Sequence, residues 1–127
     1  MASYIIEGGK RLEGEIYISG SKNASLPIMA ASILNGATTT LYNVPNIEDT
    51  KTMLDILKSL GCKVIKKNGK ITINSKDIRS QSIPDELMRK MRSSVVIAGA
   101  IIGRFKNVKF SYPGDYDTWW IHWTSLR

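Results

Sequence analysis

EGEIYISGSKNASLPIMAASILNG, residues 13–36, sets the pattern from which the rest of the chain can be read. Residues 13–19 alternate, with Ile16 and Ile18 on one face, which predicts a β-strand. Gly20 and Ser21 end that alternation. From 23 to 34 apolar residues leave hardly any polar face, which predicts a helix buried on most sides. Pro27 falls near its first turn and Gly36 just past its end, where each residue type is tolerated. Lys22 and Asn23 then stand where a helix presents its unpaired N–H groups. Orphan amides, the positive end of the macrodipole and an ammonium together favour a phosphate or carboxylate. The plainer reading is that Ser21 is an N-cap and Lys22 a solvated charge.

Working outward, Tyr4-Ile5-Ile6 predicts a short strand ended by Gly8-Gly9. Residues 38–44 form a β-branched strand stopped by Pro45, and Asn46 is placed to cap a second helix ending at Leu60 before Gly61. Its apolar stripe is Ile47, Met53, Leu54, Leu57 and Leu60, with Lys51, Asp55 and Lys58 outside as solvated charges. Residues 62–66 and 70–74 flank Asn68-Gly69, the preferred pair for a type I′ hairpin. Pro84 and the acids Asp85 and Glu86 open a third helix, whose core positions Leu87, Met91, Val95, Ala98 and Ile102 carry it to about 102. A last strand spans 108–112. Gly14-Glu-Ile-Tyr-Ile and Gly69-Lys-Ile-Thr-Ile are each followed by helix and then strand, so the chain reads as two similar αβ units of mixed α/β (α+β) class, stacked around apolar helices.

The formal charge is +7, and it is lopsided: residues 1–60 carry five basic and six acidic side chains, residues 61–127 thirteen and five. Such a field attracts anions without choosing among them. No Lys/Arg run exceeds two residues and aromatic residues before the tail are sparse, so nucleic-acid binding is the weaker alternative. Cys62 is the only cysteine, which excludes an internal disulfide, fits a reducing compartment and reads as a small buried residue. The longest apolar run, 95–102, is too short to span a bilayer, and Glu7 and Lys10 interrupt the start before a leader could form. A cytoplasmic protein with no membrane partner is expected.

In order and spacing, several stretches carry a likeness: Gly8-Gly9 with Leu12 and Gly14, Gly20-Ser-Lys-Asn-Ala with Leu26-Pro27, Asn43-Val-Pro with Asp49, Leu60-Gly61, Lys90-Met-Arg-Ser-Ser and Pro113-Gly114. Together these resemble the N-terminal part of the UDP-N-acetylglucosamine 1-carboxyvinyltransferases, the enolpyruvyl transferases that open peptidoglycan synthesis. The resemblance implies inside-out αβ repeat units. It also implies a reaction that passes the enolpyruvyl group of phosphoenolpyruvate to the 3′-hydroxyl of UDP-N-acetylglucosamine with release of phosphate. It implies no metal and no organic cofactor. Lys22 and Asn23 match the residues that contact phosphoenolpyruvate, and Arg92 matches an arginine at the substrate site. Taken from the helix alone Arg92 is a surface charge, so the resemblance is what moves it to the site. Arg89 has no such support.

The likeness stops after Pro113-Gly114. Family members continue with Gly-Cys-Asp-Ile-Gly, whose cysteine is the general acid, whereas this chain reads Asp115-Tyr-Asp-Thr-Trp-Trp120. Tyr116 occupies the cysteine's position, and since a phenol ordinarily ionises near pH ~10 against ~8.5 for a thiol, no catalytic residue is expected intact. Trp119, Trp120, Trp123 and the single His122 crowd the tail, and His122 has no metal-ligand partner at recognisable spacing. The expected organisation is opening strands over 1–21 that normally pack with a second domain, a partial first domain over 22–114, and a divergent tail over 115–127. The expected protein is a truncated transferase homologue. Its rival is an inactive module that binds an anion or nucleotide-sugar, or that self-associates through uncovered apolar surface.

Overall fold

A computed structural model describes residues 2–91, 95–111 and 118–122. The elements run α1 (Lys22–Ala31), β1 (Thr38–Tyr42), α2 (Glu48–Leu60), β2 (Lys63–Lys67), β3 (Lys70–Asn74), α3 (Asp85–Lys90), α4 (Val95–Phe105), β4 (Asn107–Ser111) and β5 (Thr118–His122). The mixed α+β class expected from the alternation of periods is what forms. β3 sits between β1 and β2 in an antiparallel sheet, and β4 pairs with β5 in a second, two-stranded one. No helix among the described residues is long and apolar enough to cross a membrane.

The β2–β3 hairpin is as the sequence predicts. Asn68 and Gly69 both take positive φ, +50° and +73°, the backbone a type I′ turn requires, and Lys67 pairs with Lys70 across it. Gly61 closes α2 in the left-handed region at φ +110°. There the Cys62 and Gly61 amides donate to the Leu57 and Lys58 carbonyls, a Schellman closure that satisfies two orphan acceptors. The core lies between the helices and the inner face of the first sheet, with Met29, Ile33, Met53, Ile56, Leu57, Leu60, Ile73, Ile97 and Ile101 fully buried. Cys62 is buried as expected; burial pushes its thiol up to about 11, with the Arg104 guanidinium pulling weakly the other way.

Five expectations are corrected. The opening strands around 4–7 and 13–19 make no ladder: residues 2–20 are neither helix nor strand. Alternation supplies a two-faced ribbon but not the neighbour whose amides and carbonyls would complete it. The third helix is not continuous, because Met91 is extended at φ −146° and splits it into α3 and α4. The first helix ends at Ala31, the chain turning tightly through Ser32 toward Gly36. Nor is it buried on most sides, since Ile28 is half exposed and Lys22, Asn23, Ala24, Pro27 and Ala31 are exposed with it; α4 likewise leaves Val95 and Val96 partly open. Asn46 does not cap α2. Ile47 holds the cap position, and the Asn46 carboxamide oxygen instead accepts from Lys66 Nζ at 2.8 Å. The strand β5 in the tail was not foreseen; its register with β4 runs from Asn107 opposite His122 to Ser111 opposite Thr118.

A polar knot ties the units together. Ser75, fully buried at the exit of β3, donates its hydroxyl to the Ser32 carbonyl at 2.8 Å. Arg104 of α4 donates to the carbonyls of Ile33 at 3.0 Å, Ser75 at 2.5 Å and Lys76 at 3.3 Å. One guanidinium thus satisfies acceptors at the end of α1 and beyond β3, using several of its five fixed donors.

Candidate functional site

The head of α1 carries the first pair of residues singled out from sequence, Lys22 and Asn23. Ser21 is its N-cap, with φ −74° and ψ 131°, and its hydroxyl accepts from the Ala24 amide at 3.4 Å. Lys22 and Asn23 follow in the first turn, both exposed. Gly20, just before the cap, is fixed by close approach: a Cβ there would run into the Asn43 carbonyl oxygen. Asn43 is itself in the left-handed region at φ +56°, so the turn after β1 and the entry to α1 are built against each other.

These residues line a cleft of about 530 Å³ shared by Lys22, Asn23, Leu26, Pro27, Asp49, Lys90 and Met91. It is bounded by the N-termini of α1 and α2 and by the end of α3. Lys22 Nζ lies 2.9 Å from Asp49 Oδ2, with the lysine side chain 49% and the aspartate 32% exposed. Two ammonium groups, one carboxylate and two helix N-termini leave the cleft with net positive character, suited to a small anion. Leu26, Pro27 and Met91 give it an apolar wall. Among the described residues no group of histidine, cysteine, aspartate and glutamate side chains is placed to hold a metal ion.

Of the residues singled out from sequence, Lys22 and Asn23 therefore come together in one cleft. Arg92 and Tyr116 lie outside the described residues; Lys90 and Met91, which lead into Arg92, line the cleft. Two stretches far apart in sequence, Gly20-Ser-Lys-Asn and Lys90-Met91, thus converge. Asp49 and Lys90 appeared in the sequence reading only as parts of recurring stretches and were given no role. Asp49 had a usable signal, being an acid in the first turn of a helix, but nothing local points it at Lys22.

A sequence model of EPSP synthase (3-phosphoshikimate 1-carboxyvinyltransferase) matches residues 6–117. The UDP-N-acetylglucosamine 1-carboxyvinyltransferase 2 of Caldanaerobacter subterraneus is 44% identical over 117 residues, covering 92% of this chain and 28% of that protein. The UDP-N-acetylglucosamine 1-carboxyvinyltransferase of Methylacidiphilum infernorum is 46% identical over 114 residues, 90% of this chain and 27% of its own length. The chain therefore spans a little over a quarter of the length of these curated relatives. Among solved structures, the enolpyruvyl transferase NikO from Streptomyces tendae superposes with a TM-score of 0.71 at 22% identity, over 80% of this chain and 24% of that one. At that identity the superposition speaks for the fold. With the family match running through both motifs that meet in the cleft, the chain belongs to the EPSP synthase family of enolpyruvyl transferases.

Proposed function

We propose that the cleft at the head of α1 is a phosphoenolpyruvate half-site, and that these 127 residues bind the ligand without turning it over. The supporting observation is the convergence of Lys22, Asn23 and Lys90 on one cleft at two helix N-termini. A cation beside orphan amides suits a substrate that carries both phosphate and carboxylate, and it stabilises the charge that moves onto phosphate as the C–O bond breaks. In the reaction of the carboxyvinyltransferase relatives, the enolpyruvyl group moves to the 3′-hydroxyl of UDP-N-acetylglucosamine and inorganic phosphate leaves, an early step of peptidoglycan synthesis in the cytoplasm. By its match to the family's arginine, Arg92 is assigned to the same anion, for which a guanidinium is a planar, always-charged donor.

Turnover fails for want of an acid. Tyr116 stands where the family's thiol protonates phosphoenolpyruvate, and a phenol is poorly matched to that task near neutral pH. Incubation of the pure protein with both substrates is expected to release no phosphate above the background rate. Calorimetric titration with phosphoenolpyruvate, alone and with UDP-N-acetylglucosamine present, is expected to show a saturable heat that Lys22→Ala and Arg92→Ala each diminish. Robust phosphate release would overturn the claim of inactivity, and identical heats from all three proteins would remove the site.

A further inference from the structure

Two ammonium groups line the cleft at the head of α1, and they are not equivalent. Lys22 is already engaged: its Nζ lies 2.9 Å from Asp49 Oδ2, so its charge is largely offset before any ligand arrives. Lys90 is exposed and, among the described residues, makes no ion pair. Glu86, four residues earlier on the same helix, has the spacing to hold it, yet the two do not pair. The described lining therefore carries one net positive charge, and Lys90 is where that charge stands uncompensated.

The backbone under Lys90 is held from both sides. Met88, two residues before it, is fully buried. Met91, directly after it, is extended at φ −146° and ψ 119° and only 4% exposed, which ends α3 at Lys90 and anchors the chain there. The ammonium is thus kept at the cleft without being taken out of water, so no desolvation cost opposes its charge. A cation in the last turn also suits the helix dipole, a role that acts on stability and not on a ligand.

With the phosphoenolpyruvate half-site as its basis, we propose that Lys90 supplies the net charge that draws the anion into this cleft, while Lys22, offset by Asp49, contributes a directed hydrogen bond. The family resemblance points to Lys22, Asn23 and Arg92, whereas Lys90 is singled out by where it stands and by what it does not pair with. Affinity then follows the summed charge of Lys22, Asp49 and the residue at position 90. Arg92 is the same in every variant compared, so its charge cancels.

Calorimetric titration of the full chain with phosphoenolpyruvate tests this charge rule. For a ligand oxygen seated roughly 4 Å from the ammonium, a water-like dielectric makes the loss in Lys90→Gln about fivefold per unit of ligand charge. Lys90→Arg keeps the charge and is expected to stay within about twofold of wild type. Asp49→Asn in the Lys90→Gln background restores one net positive charge, and its affinity is expected to return to within about twofold of wild type. Added salt should weaken the wild type more steeply than Lys90→Gln. The urea midpoint of Lys90→Gln is expected to match wild type, since the side chain is exposed. Wild-type affinity in Lys90→Gln, with or without a lowered midpoint, would overturn the role of Lys90 and leave the half-site standing. No recovery on adding Asp49→Asn would overturn the charge rule. No saturable heat from the wild type would remove the half-site itself, and Lys90's role with it.

Discussion

Lys22→Ala separates a binding cleft from an ordinary surface ion pair. At 2.9 Å the Lys22–Asp49 attraction is about 1.4 kcal/mol in a fully water-like dielectric, before the entropy of holding two mobile side chains is subtracted. With the partners 49% and 32% exposed, the net contribution falls in the ~0–1 kcal/mol range measured for such pairs. The substitution is therefore expected to shift the urea midpoint of unfolding by little. Binding behaves differently, because losing a charge-assisted hydrogen bond to the ligand costs ~1.5–3 kcal/mol, a roughly tenfold to hundredfold loss of phosphoenolpyruvate affinity. Asp49→Asn moves affinity the other way. For an anion seated across the Lys22 ammonium from Asp49, taken as roughly 6 Å from the carboxylate, removing that charge relieves ~0.7 kcal/mol per unit charge in a water-like dielectric, about a threefold gain, and frees Lys22 as well. Calorimetry and urea titration on the same three proteins supply both readouts. Unchanged affinity in Lys22→Ala together with a stability loss above about 2 kcal/mol would refute the assignment and make the pair structural.

Three further outcomes follow from the fold. Cys62 ionises near 9.0 when unfolded and near about 11 when folded, so its contribution is complete below pH ~9 and is lost as pH rises toward about 11; subtracting the Cys62→Ala pH–stability curve from that of the wild type should expose a decline of ~2–3 kcal/mol over that window. Gly20→Ala drives a methyl into the Asn43 carbonyl and is expected to cost ~1–3 kcal/mol in urea unfolding, with weaker ligand heat because the head of α1 shifts. Ser75→Ala leaves the Ser32 carbonyl without its buried hydroxyl donor and should lower stability by ~1–2 kcal/mol, with no change in ligand heat.

What the sequence showed correctly is what a few adjacent residues decide. Asn68-Gly69 specifies its turn because both positions need positive φ and these residue types tolerate it. Gly61 ends α2 for the same reason. Ser21 caps α1, as the plainer reading of that stretch has it, while Lys22 beside it pairs with Asp49 rather than standing as a solvated charge. By contrast, the break at Met91 was hidden because Leu87, Met91 and Val95 keep helical spacing straight through it. Periodicity reports which face is apolar, and Met91 remains 4% exposed although its backbone is extended.

Long-range pairing was not legible, and the Lys22–Asp49 contact shows why. The two residues lie on different helices, and only the packing of α1 against α2 brings the ammonium to the carboxylate. The same reasoning covers the two clearest failures of burial. Ile16 and Ile18 alternate like core residues, and Ile28, Val95 and Val96 lie on helices that read as apolar nearly all round, yet all are exposed to some degree. Apolar side chains state that a surface stabilises something by being covered; they do not contain the cover.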